Sequence, residues 1–362
     1  MVRKTGHDME TIRMHNQFIQ GRAFGDSTVL SLQSETLGNP GPDQLLVRHT
    51  AIGINFIDIL QRRGDLAPDL PYRLGLEAAG EVLAVGADVQ EFNPGDRIVY
   101  AGGPMGAYAE ARLLPAARAV RLPDHVDDRT AAAIFFKGLT ADYLVHRLRP
   151  IAPGDAVLFT AAVGGVGQLA VPMLKQAGAT VIGTVGSPDK VDAARAIGCD
   201  HVLVLPVGVD QGVAQIRQWL SGQGVQIAYD SIGRATVDLS LAALARFGLL
   251  VSYGWTSGEV DPVPLARLRQ MGSLFVTRPT IGDYTASRDD LEAGAQRVFD
   301  ALRKGVIHAR IHAALPLSRA GEAHRMIESR ATQGSVILTT GDRSHVGRGG
   351  ICAPGGRASA PG

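Results

Sequence analysis

The sequence predicts an α/β protein that combines a mostly antiparallel β domain with a doubly wound parallel sheet. Three observations predict it. Short apolar runs separated by turn residues fill the first third of the chain. Near residue 137 the pattern changes to strands alternating with helices, and a glycine-rich loop sits at the first strand–helix junction after that change. With 362 residues, 45% hydrophobic and 20% charged, the chain is long enough for two domains with separate cores and has an ordinary soluble composition.

Residues 1–16 read as a flexible extension in which Met9 and Met14 are alternative starts. His7, Asp8 and Glu10, with no apolar run between them, make no signal peptide. From Phe18 to Arg121 the segments LLVRHTAIGI, AAGEVLAVG, DRIVYAG and AYAEARLL read as strands. Gly38–Pro42 and Asn93–Asp96 punctuate them as turns. From about Lys137 to Arg278 the strands are DAVLFTA, ATVIGTV, HVLVL, IAYDSI, LLVSYG and SLFVTR, most of them separated by amphipathic segments. Such alternation makes βαβ units and a parallel sheet. A helix over Arg288–Lys304 and the run Ala309–Leu338 return to the first domain. The expected organisation is therefore 17–137 with 280–342, interrupted by a nucleotide domain at 138–279. The Gly-, Pro-, Ala- and Ser-rich residues 343–362 form a disordered tail.

Composition also excludes functions. A formal net charge of +1 gives no reason to expect nucleic acid or an anionic membrane as partner. Two distant cysteines, Cys199 and Cys352, make neither a disulfide framework nor a thiolate metal site, which suits a cytoplasmic protein. The apolar stretch Ala156–Leu174 contains Gly164, Gly165, Gly167 and Pro172, and so reads as strand, turn and helix rather than a membrane span.

That stretch carries the chemistry. Strand Val157–Thr160 enters Ala161–Ala162–Val163–Gly164–Gly165–Val166–Gly167 and then a helix through Lys175. The loop is a variant of G-x-G-x-x-G, with Ala162, Gly164 and Gly167 at the three special places. In such a loop, backbone amides and the helix N-terminus approach a pyrophosphate. Pro172 removes one hydrogen bond and should bend the helix beyond the loop. At the end of the next strand an NAD-binding chain usually places an acid for the adenosine ribose. Here Val185 takes that place and Ser187 and Lys190 follow, which favours NADPH. Asp189, on a turn after Pro188, is expected to face solvent or cap a helix.

The residues resemble the zinc-independent quinone oxidoreductases (zeta-crystallin-like) of the medium-chain dehydrogenase/reductase superfamily. The resemblance runs from about Phe18 to Leu338. It is carried by Gly53–Asp58, Gly75–Val82, Gly95–Arg97, Lys137–Ala141, the loop above, Tyr229–Gly233, Thr277–Pro279 and Glu328–Gly334. It implies a GroES-like catalytic domain and a Rossmann NADPH-binding domain, assembled as a homodimer through the nucleotide-domain sheet. It implies that Lys190 and Arg330 hold the 2′-phosphate, although Arg330 could instead cap its helix. It implies that the Gly164–Val166 backbone holds the pyrophosphate and that Tyr253 and Gly254 lie beside the nicotinamide. Thr140, Val163 and Ser231 in the matched motifs, with Gly183, Gly186 and Ser187 at the end of the second strand, are expected along the same cofactor path. Where zinc-dependent relatives carry Cys and His, this chain has Asn55 and Leu76, which cannot ligate zinc in their place. A zinc-free site is expected, with Glu77 as a structural residue. Leu60, Leu66 and Leu205 stand where relatives have tyrosines.

Hydride transfer to an electron-poor acceptor needs orientation and a dry cleft. A quinone needs little more, whereas reducing the C=C bond of a 2-alkenal or enone gains from a proton donor. Asn55 either bonds cofactor ribose or substrate, or caps a helix. Asp58 is either catalytic or an ion-pair partner of Arg62 four residues on. Arg278 either faces the cleft or braces the domain junction. A non-catalytic NADPH-binding role, structural or RNA-binding, is the reading from another class, and the near-neutral charge argues against RNA.

Overall fold

The computed structural model describes residues 12–329 and 332–341. Most of the expected N-terminal extension, the expected tail and Arg330 lie outside the described residues. The first part runs β1 (Met14–Gly21), β2 (Leu30–Leu37), β3 (Gln44–Gly53), α1 (Phe56–Arg63), β4 (Tyr72–Arg73), β5 (Glu77–Val85), β6 (Arg97–Ala101), β7 (Ala111–Pro115) and β8 (Ala119–Arg121). The strand β1 begins inside the expected extension, pairing Met14 with Leu37 and Asn16 with Glu35. Asn16 is buried because its Oδ1 accepts the Ala111 amide at 2.8 Å and its Nδ2 donates to Glu35 at 2.9 Å. The polar run His15–Asn16–Gln17 hides the start of a strand that pairs with β2 along its full length and buries Phe18 and Ile19.

Helix α2 (Asp128–His146) follows, its first turn capped by the Asp127 carboxylate accepting the Thr130 amide at 2.9 Å. Nearly every residue from Ala131 to Val145 is buried, so the helix is covered on all sides. The expected boundary at 137/138 falls in the middle of it, with no linker.

The alternating part is β9 (Ala156–Phe159), α3 (Gly167–Gln176), β10 (Thr180–Val185), α4 (Val191–Ala196), β11 (His201–Val204), α5 (Val209–Trp219), β12 (Val225–Asp230), α6 (Val237–Ala242), β13 (Leu244–Ser252), α7 (Leu265–Gln270) and β14 (Phe275–Thr277). Its six strands lie in the order β11-β10-β9-β12-β13-β14, every pair parallel. This is the doubly wound order, whose reversal at β9/β12 opens a crevice at the carboxyl ends of the strands.

The chain then forms α8 (Ile281–Tyr284), α9 (Arg288–Arg303), β15 (Ile311–Pro316), α10 (Ala320–Glu328) and β16 (Ser335–Thr339). The last two strands rejoin the first part in a seven-stranded sheet, β15-β16-β3-β5-β6-β8, with β7 also on β3. Strand β3 is the hub. Strand β5 lies along one edge, and β7 and β16 divide the other.

The cores are not separate. One cluster joins Ala51, Ala79 and Val99 of the antiparallel sheet to Phe135 and Leu139 of α2, and on to Val157, Phe159 and Ile227 of the parallel sheet. The expectation of two independent cores fails because a helix with apolar residues on every face must bury both of its sides, and here it does so against both sheets. Two further clusters fill the inside of the antiparallel domain (Leu45, Ile52, Tyr100, Leu338) and the outer face of the parallel sheet (Leu158, Ile182, Ile216, Leu250).

Candidate active site

The glycine-rich loop leaves β9 at the centre of the parallel sheet. Ala161, at the mouth of the loop, adopts a left-handed conformation (φ 51°) that alanine rarely takes. Ala162 is buried, its amide donating to the Thr184 carbonyl of β10 at 3.0 Å. Gly167 opens α3 so close to the loop that a Cβ there would lie 2.2 Å from the Ala162 carbonyl oxygen. Gln168 then donates Nε2 to the Val163 carbonyl at 2.7 Å and fixes the loop's shape. The amides of Gly165 and Val166 have no acceptor among the described residues. Donors at the N-terminus of a helix, in a cradle that a side chain at Gly167 would spoil, fit a pyrophosphate.

The end of β10 holds the expected ribose side. Val185 is buried, Gly186 is open to solvent, and Ser187 and Lys190 are half-buried on the short turn before α4. Asp189 is exposed, and its carboxyl is held below the usual range chiefly by the Ser187 hydroxyl. Gly183 lies behind the loop, buried against Cys199 and Ala162.

The ends of β12 and β13 form the opposite half of the crevice. The Ser231 amide donates to Thr160 Oγ1 at 2.9 Å, and Gly254 packs on the Ser231 backbone. The Tyr253 phenol is bonded with Ser231 and raised by burial above the usual range. Its ring lies 6.0 Å from that of Phe159. Arg278 donates Nη1 to the Ser252 carbonyl at 2.7 Å and stacks 4.1 Å over Trp255, bracing the end of β13. Thr140 turns its hydroxyl to the Phe136 carbonyl of its own helix at 2.9 Å.

Asn55 caps α1. Its amide donates to Asp58 Oδ2 at 2.9 Å, and its Nδ2 donates to Glu77 Oε2 at 2.9 Å. Asp58 is fully buried and also accepts the Tyr108 hydroxyl at 2.9 Å, while Oδ1 has no described partner. Burial pushes its pKa up to about 7 against those bonds. The Asp58–Arg62 ion pair does not form. Arg62 turns away from α1's first turn and makes a bidentate pair with Glu328 at 2.6 and 3.0 Å.

The chain matches the zinc-binding dehydrogenase family over residues 165–300 and the alcohol dehydrogenase GroES-like domain over residues 41–124. A quinone oxidoreductase of Pseudomonas aeruginosa is 41% identical over 321 residues, spanning 88% of this chain and 98% of the relative. This chain belongs to the quinone oxidoreductases of the medium-chain dehydrogenase/reductase superfamily. A 2-haloacrylate reductase of a Burkholderia species is 39% identical over 310 residues, 83% of this chain and 92% of the relative. The structure of Escherichia coli quinone oxidoreductase complexed with NADPH superposes with a TM-score of 0.86 at 39% identity, over 89% of this chain and 99% of that one.

In this quinone oxidoreductase, two residues join the site that sequence reasoning did not assign to it. Glu77 is fully buried, accepts the Phe136 amide at 2.6 Å and lies 3.7 Å from Lys137 Nζ. Lys137 donates to the Ile54 carbonyl at 3.2 Å, and its stem runs under the loop: a Cβ at Gly165 would lie 2.9 Å from Lys137 Cδ. The signal was a lysine inside the apolar helix AAAIFFKGLTA, because a buried lysine normally requires a partner. The family's missing tyrosines leave Leu60 buried in α1 and Leu66 exposed just beyond it, while Leu205 packs at the edge of the outer apolar cluster.

Proposed function

We propose that the protein reduces quinones by hydride transfer from NADPH in a zinc-free cleft between its two sheets. The observation that carries this is the loop at the centre of the parallel sheet, with amide donors at Gly165 and Val166, buried Val185 where an acid would read the ribose, and Lys190 beyond it. When bound, NADPH supplies the hydride. The loop amides and the start of α3 hold the pyrophosphate, and Lys190 with Arg330 holds the 2′-phosphate. Tyr253 and Gly254 border the nicotinamide, held in place by Arg278 through Ser252. Asn55, fixed by Glu77, orders the cleft wall. Asp58 and Tyr108 are sealed from solvent, so the reduced acceptor takes its proton from water. A hydroquinone anion tolerates that. A second reading, reduction of activated C=C bonds such as those of 2-alkenals and enones, is favoured by the similarity to a 2-haloacrylate reductase.

Stopped-flow oxidation of NADPH tests both. Turnover with 1,2- or 1,4-quinones well above that with 2-alkenals or 2-haloacrylates is expected, and the reverse ranking would replace the first reading by the second. Absence of turnover on either class would leave only a binding role.

The assembly we propose is a homodimer joined along β14. That edge strand exposes Phe275 at 60% and Val276 at 41%, more apolar surface than a lone edge normally shows. A cytoplasmic location is consistent with the buried thiol of Cys199. No helix among the described residues is long and apolar enough to cross a membrane.

A further inference from the structure

A cavity of about 300 Å³ opens beside the glycine-rich loop, between α3, α4 and the segment that precedes β15. Its polar lining consists of Gln168, Lys190, His308, Arg310 and Gln333, and it includes no carboxylate among the described residues. Through Val163 and Gln168 it is continuous with the loop, since Gln168 bonds the Val163 carbonyl. Lys190 ties it to the end of β10. In this fold the adenosine ribose of a dinucleotide is read at the end of the second strand. A carboxylate-free cavity at that point, lined by a lysine, an arginine and a histidine, has the chemistry of a subsite for a phosphate on that ribose.

We infer that Arg310 is a specificity-determining residue for NADPH, reading the 2′-phosphate from a second wall of the cavity that Lys190 lines. This rests on the proposed NADPH reading and adds to it a cation from a different element. Arg310 is placed for the role by its backbone and its side chain separately. Its carbonyl accepts the Ser335 amide at 2.8 Å at the start of the β15–β16 pairing, and Gly334 packs on that same carbonyl. Its Nη2 donates to Gln333 Oε1 at 2.9 Å, a neutral partner that orients the guanidinium without cancelling its charge. Its remaining N–H groups form a planar fork suited to phosphate oxygens. His308 adds a ring nitrogen to the same wall.

The test is calorimetric binding of NADPH, NADH, adenosine 2′,5′-bisphosphate and 5′-AMP to the full chain and to Arg310→Ala, Arg310→Lys and Lys190→Ala. Arg310 is exposed and its backbone bonds do not involve the side chain, so the variants should fold as the parent does. Arg310→Ala is expected to weaken NADPH and the bisphosphate by about tenfold, with NADH and 5′-AMP within about twofold, and Arg310→Lys to recover part of the loss. If Arg310→Ala weakens all four ligands alike, or none, while Lys190→Ala still discriminates, the inference is overturned and the cofactor reading survives. If Lys190→Ala does not discriminate either, the NADPH reading itself falls.

Discussion

Replacing Gly167 with alanine should damage dinucleotide binding without regard to which dinucleotide it is. The added Cβ would stand 2.2 Å from the Ala162 carbonyl oxygen and 2.8 Å from that of Ala161. Both are backbone atoms, so no side chain can swing aside. Restoring contact distance requires the start of α3 to withdraw by about 1 Å, a strain of about 1–3 kcal/mol in a packed region. At about 2–4 °C per kcal/mol, the melting temperature should fall by several degrees. The same withdrawal takes the loop amides away from the pyrophosphate. Losing charge-assisted bonds of about 1.5–3 kcal/mol raises Kd by about 10- to 100-fold. Calorimetry and thermal scans on Gly167→Ala would measure both effects, with Gly38→Ala, remote from the loop and with open space around its Cβ, as the matched control. NADPH and NADH should lose equally, because the pyrophosphate is common to them. A Gly167→Ala protein that binds both as the parent does would refute the placement of the phosphates on this loop.

Four further outcomes follow from the same geometry. Lys190→Ala should raise the Kd of NADPH by about tenfold and leave NADH nearly unchanged; equal losses would remove Lys190 from the 2′-phosphate site. The folded pKa of Asp58 is raised from 3.8 to about 7, so its contribution to stability is fully present below about pH 4 and lost as pH rises through 7. Asp58→Asn should therefore gain on the parent by up to about 4 kcal/mol across that window in urea titrations, and parallel curves would contradict the shift. Burial pushes the Cys199 thiol up to about 12, so iodoacetamide at pH 8 should label it only after unfolding; rapid labelling of the Cys199 peptide in native protein, distinguished from Cys352 by peptide mapping, would contradict that burial. Phe275→Glu should shift the mass measured by light scattering from dimer to monomer, and a parent that is already monomeric would end the β14 proposal.

The parallel sheet was legible because each of its strands is a short apolar run followed by turn residues, and that pattern depends on local sequence alone. The loop was legible for the same reason, although its left-handed residue at Ala161 was not anticipated. What sequence could not supply were partners distant along the chain. Asn16 gives no apolar signal, and its side chain is held by Glu35 and the Ala111 amide. Spacing offered Asp58 to Arg62, but Glu328, far along the chain, takes the guanidinium. Asp58 and Thr140 read as cleft residues from their motifs, yet Asp58 is buried with one oxygen bonded to the Asn55 amide and Tyr108, and the Thr140 hydroxyl donates to its own helix. Arg330 lies outside the described residues.

Helix α2 constrains how this molecule can move and how it can be cut. Its first half packs on β3, β5 and β16, and the same continuous rod lies against α3 behind the phosphate loop. Midway, Lys137 slides its stem beneath Gly165 and anchors its head to Ile54. Neither half therefore owns the helix. Expressing 138–279 alone would sever it mid-turn and strip a greasy flank bare, so the isolated fragment should precipitate. Any opening of the crevice must keep this rod in contact with both sheets or break its packing on one of them.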